Sequence, residues 1–258
     1  MKTTIFYFSG TGNSLYAAKK LSSLLPDCEL MNIVTCIHED KFSCESDNIG
    51  IICPIYAFGL PTIVDDFLKK LTFSSNSYIF AMLTTGGGSA DLGFSMIHRT
   101  LKSKGLELSH SSTLKYVSNY HLTGGVYSPN DAKALIISKD KDIINFSKAV
   151  STRRLTIETF KMRYSIYLFY LLWKHLYKNK DKKFKVNSKC IQCDVCAKVC
   201  PNNNISLDLG TPVWNGNCLD CTSCINNCPM HAIDIGKKSI DVPLYRNPFI
   251  ELKELFYK

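Results

Sequence analysis

Thr3-Thr4-Ile5-Phe6-Tyr7-Phe8-Ser9-Gly10-Thr11-Gly12-Asn13-Ser14 carries a β-rich apolar run, a glycine loop and then a helical pattern from Leu15 to Leu25. The same alternation returns further along. Ile49–Cys53 reads as a short buried strand, followed by a Pro/Gly loop and a helix over Thr62–Leu71. Tyr78–Thr84 is another such strand, leading into Gly86-Gly87-Gly88 and a helix from Asp91 to Lys104. Leu114–Val117 is read as a fifth strand and Ala132–Val150 as a closing helix. Short apolar strands without polar alternation, separated by helices, predict a parallel sheet covered on both faces. Residues 1–150 are therefore expected to form a doubly wound α/β domain with its ligand at the carboxyl ends of the strands.

The first loop suits an anion. Ser9, Thr11 and Ser14 offer hydroxyls, Gly10 and Gly12 allow close approach, and the backbone amides stand at a helix N-terminus. No P-loop lysine is present, and Leu15 stands where the third glycine of a dinucleotide fingerprint belongs. On these residues alone, an ordinary glycine turn with a serine cap is the alternative.

The 258-residue chain has twelve cysteines, eight of them between Cys190 and Cys228. Cys190, Cys193, Cys196, Cys200 and Pro201 recur as Cys218, Cys221, Cys224, Cys228 and Pro229, offset by 28 residues, and Ile205 maps onto Ile233. Each copy is C-x₂-C-x₂-C-x₃-C-P, a spacing that presents three thiolates from one tight loop to an iron–sulfur cluster. Structural zinc sites use paired rather than triplet spacings. Cys28, Cys36 and Cys44 lie eight residues apart, which suggests no ligand set, so buried free thiols are expected. No signal peptide is read at the N-terminus, so a reducing, cytoplasmic compartment is expected.

The formal charge is +9, but its excess sits in residues 151–188, with 10 basic and 2 acidic side chains. That distribution argues against a general nucleic-acid binder. Thr156–Tyr177 reads as a long helix, apolar almost all round in its middle, expected to be buried as a wedge between two domains. It leads into the lysine-rich stretch Lys178–Lys185. The apolar run Ile166–Trp173 is too short to span a bilayer. The basic segment has three readings: a solvated surface, a dock for an acidic redox partner, or contact with a membrane surface. The expected organisation is residues 1–150, a connector at 151–184, a cysteine domain at 185–240 and an extension at 241–258.

Residues 185–240 resemble the bacterial two-cluster [4Fe–4S] ferredoxins, a small α+β fold. That resemblance implies one cluster on Cys190, Cys193, Cys196 and Cys228, and the other on Cys218, Cys221, Cys224 and Cys200. The loop Ser9-Gly10-Thr11-Gly12-Asn13-Ser14 resembles the FMN-phosphate loop of flavodoxins, which implies a sheet of order 2-1-3-4-5 over residues 1–150. In that family the loops after the third and fourth strands hold the flavin ring. Here they are Pro54-Ile55-Tyr56-Ala57-Phe58-Gly59 and Thr85-Gly86-Gly87-Gly88-Ser89, with Tyr56 or Phe58 stacking; anchoring the loop in the core is the alternative role for those two. Asn119-Tyr120-His121 is a third segment implied to face the ring. The two ring loops lack the acidic residues that many flavodoxins carry there. Joined, the two parts resemble the flavodoxin–ferredoxin fusion proteins of anaerobic prokaryotes. The resemblance implies an electron-transfer protein with FMN and two [4Fe–4S] clusters, serving a donor and an acceptor protein. The alternative is a flavin-dependent reductase of a quinone, nitro compound or enone, fed by the clusters.

Overall fold

The computed structural model describes residues 1–74, 76–120, 128–156, 160, 163–177, 180–236 and 242–257. Five parallel strands form the main sheet: β1 (Thr3–Tyr7), β2 (Cys28–Asn32), β3 (Asn48–Pro54), β4 (Tyr78–Thr85) and β5 (His110–Lys115), in the order β2-β1-β3-β4-β5. This is the doubly wound, flavodoxin-like order. The period of two along each strand divides the core. Phe6, Phe8, Ile49, Ile51, Ile79, Ala81 and Leu83 face one side, against α2 (Ile33–His38), α3 (Thr62–Lys70) and α4 (Asp91–Lys102). Ile5, Ile52, Phe80, Met82 and Leu114 face the other, against α1 (Asn13–Ser22), α5 (Pro129–Ser138) and α6 (Asp140–Ser151).

Four elements depart from the sequence reading. β2 and α2 carry no strong signal, because β2 is an edge strand whose residues are all half-buried or exposed. The fifth strand begins four residues earlier than expected, at His110: its Ser111 and Leu114 are buried while Thr113 and Lys115 are exposed. The closing helix is two helices that meet at Lys139.

The connector helix is the larger correction. Thr156 is not helical and its N–H donates to the Ser109 carbonyl at 2.9 Å, while residues 157–159 and 161–162 lie outside the described set. The helix, α7, spans Tyr164–Tyr177, and only Tyr170 and Tyr177 on it are buried. It is held on one side alone. Tyr170 Oη donates to the Leu60 carbonyl at 2.8 Å, and the Tyr177 and Thr62 hydroxyls pair at 2.8 Å. Gly59 permits this approach, since a Cβ there would stand 2.6 Å from the Tyr170 ring. The opposite face is open to solvent, so an apolar surface all round does not here mean burial all round.

The cysteine domain contains β6 (Phe184–Val186), α8 (Val195–Lys198), β7 (Ile205–Asp208), β8 (Thr211–Trp214), α9 (Ser223–Asn226) and β9 (Ile233–Ile235), with β6 paired to β9 and β7 to β8, both antiparallel. Its repeat is structural as well as sequential. Left-handed residues recur at the same offset: Gln192 and Asp220, Asp194 and Thr222, Asn203 and His231. Buried Asp181, just before β6, accepts from Asn204 Nδ2 at 3.0 Å and from the Gly216 N–H at 2.9 Å, tying the connector into this domain. Among the described residues no helix is long and apolar enough to cross a membrane.

Candidate functional site

A cavity of about 510 Å³ opens at the carboxyl ends of β1, β3 and β4. That volume lies in the roughly 300–1,000 Å³ range of sites that bury a ligand of cofactor size. Its first wall is the glycine loop. Gly12 has φ 99°, and a Cβ there would stand 2.9 Å from Asn247 Cβ, so this position requires glycine. Three successive carbonyls of the loop are engaged from the C-terminal part of the chain. Ser9 O accepts from Tyr257 Oη at 2.8 Å, Gly10 O from Ser223 Oγ at 2.7 Å, and Thr11 O from the Asn247 N–H at 2.8 Å. In a trans peptide the next N–H points opposite to the carbonyl. Pinning these carbonyls therefore turns the Gly10 and Thr11 amides to the other side, that of the cavity both residues line.

The hydroxyls are poised as donors. Ser9 Oγ accepts from the Gly12 N–H at 3.1 Å and Thr11 Oγ1 from Asn119 Nδ2 at 2.6 Å, which leaves each O–H proton free for a ligand. Ser14 Oγ shares a proton with Thr84 Oγ1 at 2.8 Å. Among the residues lining the cavity no lysine or arginine is present, so an anion here would rest on hydroxyls, amides and the start of α1.

The second wall is a strained turn. The Tyr56 N–H donates to Gly59 O at 2.8 Å and the Gly59 N–H to Tyr56 O at 2.9 Å, closing a two-residue loop. Both central residues are left-handed, Ala57 at φ 46° and Phe58 at φ 70°. Such loops favour Asn-Gly, and non-glycine residues held there cost about 1–3 kcal/mol each. The turn presents Phe58 at the cavity mouth, where its ring lies 6.1 Å from that of Phe169 on α7. Behind it, the Tyr56 and Trp173 rings meet edge to face at 6.3 Å. Burial raises the Tyr56 hydroxyl well above the ordinary phenol pKa, and nearby Cys221 adds to the shift. On the third side lie Gly86, Gly87, Gly88 and Asn119.

The fourth wall comes from the cysteine domain: Asp220, Cys221 and Thr222 line the same cavity. Asp220 accepts from Trp173 Nε1 at 3.1 Å and from Tyr120 Oη at 3.2 Å, and Lys180 bridges Asp220 and Tyr120. Burial disfavours the Lys180 charge, but its bonds to Asp220 and Tyr120 prevail and its pKa is raised. The Asn119 carbonyl accepts from Asn226 Nδ2 at 3.1 Å. One polar network thus joins α7, the segment after β5 and the second cysteine loop.

The eight cysteines fall into two sets. Cys190, Cys193, Cys196 and Cys228 surround one small cavity, and Cys200, Cys218, Cys221 and Cys224 another. This is the crossed grouping implied by the resemblance, with the fourth cysteine of each run reaching across. Backbone N–H groups of Asn204, Asp220 and Ala232 donate to the sulfurs of Cys200, Cys218 and Cys228 at 3.3, 3.3 and 3.2 Å. Burial pushes the metal-free thiols up, Cys196 to about 11 and Cys218 to about 12, so iron must displace protons to bind. Among the described residues no group of three His, Cys, Asp or Glu side chains is arranged for a single metal ion. The chemistry of these donors fits clusters: two sets of four thiols, partly buried, with amides aimed at sulfur.

Of the residues marked in the sequence, Ser9, Gly10, Thr11, Asn13, Ser14, Pro54, Ile55, Tyr56, Ala57, Phe58, Thr85, Gly86, Gly87, Gly88, Asn119 and Tyr120 line the cavity. Gly12 does not; it packs against Asn247 and Ile250. His121 lies outside the described residues. Cys36, Cys44 and Cys53 are buried and Cys28 half-buried, all four free. The sequence reading missed the contributions of Phe169, Trp173, Asp220 and Thr222, and the clamp formed by Tyr245, Asn247 and Tyr257. The nearest sequence signal was the asparagine-rich second cysteine loop.

Residues 189–233 match the family described as a 4Fe-4S dicluster domain. No curated protein matches the chain. Among solved structures, a flavoprotein in complex with FMN from Lactobacillus acidophilus NCFM is 19% identical, covers 43% of this chain and 92% of its own, and has a TM-score of 0.34. The rubredoxin oxygen:oxidoreductase of the anaerobe Desulfovibrio gigas is 18% identical over 58% of this chain and 37% of its own, with a TM-score of 0.36. An FMN-dependent NADH-azoreductase from Bacillus anthracis str. Ames Ancestor is 8% identical over 58% of this chain and all of its own, with a TM-score of 0.39. The sheet order and the dicluster match together define the class: a flavodoxin-like α/β domain joined to a two-cluster iron–sulfur domain. The C-terminal part is an iron–sulfur protein with ligands for two [4Fe–4S] clusters.

Proposed function

We propose that the protein is an electron carrier passing electrons between its two [4Fe–4S] clusters and an FMN in the 510 Å³ cavity. One observation carries this reading: Cys221, a cysteine of the second set, is itself a lining residue of that cavity. FMN, when bound, lets one-electron centres exchange with a partner taking one or two electrons. The chain's residues have separate tasks. Thr11, Ser14 and the amides of the first loop hold the phosphate; Tyr56 and Trp173 hold the ring; Phe58 and Phe169 narrow the mouth. Cys193 is exposed and marks the outer set as the entry point, with the Cys200 set between it and the flavin. The aromatic mouth favours a carrier for protein partners over a reductase of small molecules, which needs an open ring face.

Anaerobic stopped-flow mixing with a low-potential donor tests this. Cys193→Ala is expected to slow flavin reduction by at least about tenfold, a barrier of ~1.4 kcal/mol, and to leave FMN affinity unchanged. Flavin reduction as fast without the outer cluster overturns the wire. Saturable, salt-indifferent turnover of a quinone or nitro compound assigns the protein to the reductases instead.

A further inference from the structure

The outward side of α7 is out of keeping with the rest of the surface. Tyr164, Leu168, Leu171, Leu172 and Leu176 recur at helical spacing and are 81, 59, 41, 56 and 65% exposed; Phe169, 52% exposed, borders them. The helix has no acidic residue, and apart from its aromatic residues its polar side chains are Ser165, Lys174 and His175. Single exposed apolar residues are ordinary, but a contiguous row along one helix marks a contact surface.

Charge selects the occupant. Arg163 precedes the helix, and exposed Lys182, Lys183 and Lys185 follow it, whereas Lys174 lies on the inner face beside Asp66. None of the four outer cations, Arg163, Lys182, Lys183 and Lys185, forms an ion pair with a described residue. Of the two acidic residues in 151–188, Asp181 is buried in bonds to Asn204 and Gly216, leaving it unable to offset the lysines outside. A convex row of leucines and aromatics flanked by unpaired lysines suits a soft, negatively charged medium: apolar side chains enter the acyl boundary while cations stay at the headgroups. A protein groove able to cover this ridge would favour arginine over lysine at its edge.

We infer that the outward face of α7 docks the protein on anionic membrane surfaces. The helix lies in the interface and does not cross it. Phe169 belongs both to this face and to the pair with Phe58, so docking sets the cavity mouth against the lipid surface. The inference goes beyond the electron-carrier reading, and vesicle binding tests it without any redox turnover.

The experiment is co-sedimentation of the anaerobically prepared holoprotein with vesicles of phosphatidylcholine, alone or in equimolar mixture with phosphatidylglycerol. Binding is expected to the mixed vesicles and to be weak to phosphatidylcholine alone. Leu168→Ser/Leu172→Ser should lower the affinity by at least about tenfold with iron and flavin content unchanged. Lys182→Gln/Lys183→Gln should weaken binding and flatten its salt dependence. Wild-type protein that stays in the supernatant, or binding indifferent to the leucine substitutions, overturns the inference. So does a vesicle-free dimer, seen by light scattering, that the leucine substitutions dissociate, because the face then belongs to a second copy.

Discussion

The two cysteine runs share a spacing, a pair of left-handed residues and a short helix, yet their surroundings are opposite. In the first, Ile191 is 59% exposed and Cys193 faces solvent. In the second, the counterpart Leu219 is buried, and Ser223, Asn226 and Asn227 are 1, 5 and 2% exposed. Val195, Lys198 and Val199 of the first run are the residues these three replace. The replacements form the joint: Ser223 and Asn227 donate to the Gly10 carbonyl at 2.7 and 3.4 Å, and Asn226 donates to that of Asn119. The two cluster loops thus share one backbone plan, and a few polar residues particular to the second join it to the 510 Å³ cavity.

The strongest way to break this asymmetry is to remove one cysteine from each set. Cys200→Ala and Cys228→Ala are each expected to lower iron from about eight to about four atoms per chain. Because of the crossing, Cys200→Ala should damage the inner cluster and stop cluster-to-flavin transfer. Cys228→Ala should damage the outer one and leave the inner spectrum intact. Spectroscopy that finds each loss in the neighbouring run instead contradicts the crossed assignment.

A gentler change makes the second loop resemble the first. Ser223→Val/Asn227→Val leaves the Gly10 carbonyl buried without its donors, a loss of about 1–3 kcal/mol. If that carbonyl orients the loop amides, FMN should bind roughly tenfold more weakly at an unchanged iron content. Equal loss of FMN and riboflavin would locate the effect away from the phosphate.

Much of this organisation is legible in residues of strong, local character. The buried runs of β1, β3 and β4, the glycine loop and the eight cysteines each carry their own signal. β2 does not, because an edge strand that buries little has no reason to show an apolar run. Nor does the joint: Ser223 and Asn227 are ordinary polar residues until the fold brings Gly10 to them. Composition misleads for α7, where the apolar surface reflects an exposed row rather than a buried helix. The turn at Ala57-Phe58 is hidden for another reason, since neither residue favours the conformation it is held in.

The smallest expected effect concerns the edge of the clamp, where Lys19 on α1 pairs with Glu254. Partial burial works against the Glu254 charge, but the bonds from Lys19 and the Glu251 N–H prevail, so its pKa is lowered. A carboxylate favoured in the folded state stabilises above the ordinary carboxyl range, and that contribution is lost as pH falls through the lowered pKa. Glu254→Gln should therefore cost a few tenths of a kcal/mol at neutral pH, given the pair's exposure. The difference from wild type should vanish in acid; a thermal melting difference that persists there would assign the effect to packing.

The clamp on the first loop also fixes an order of assembly. Asn13 Oδ1 accepts from Tyr245 Oη at 2.6 Å across 232 positions, and Ser9 O from Tyr257 across 248. During synthesis at about 5–20 residues per second the loop leaves the ribosome many seconds before its clamp. The β-strands around it can pair in that interval, but the carbonyls of Ser9, Gly10 and Thr11 stay unpinned until the cysteine domain has been made and has docked. If the cavity takes FMN as proposed, its capture would be deferred to the end of maturation, when a chain without properly seated cluster loops would have no finished phosphate cradle to offer.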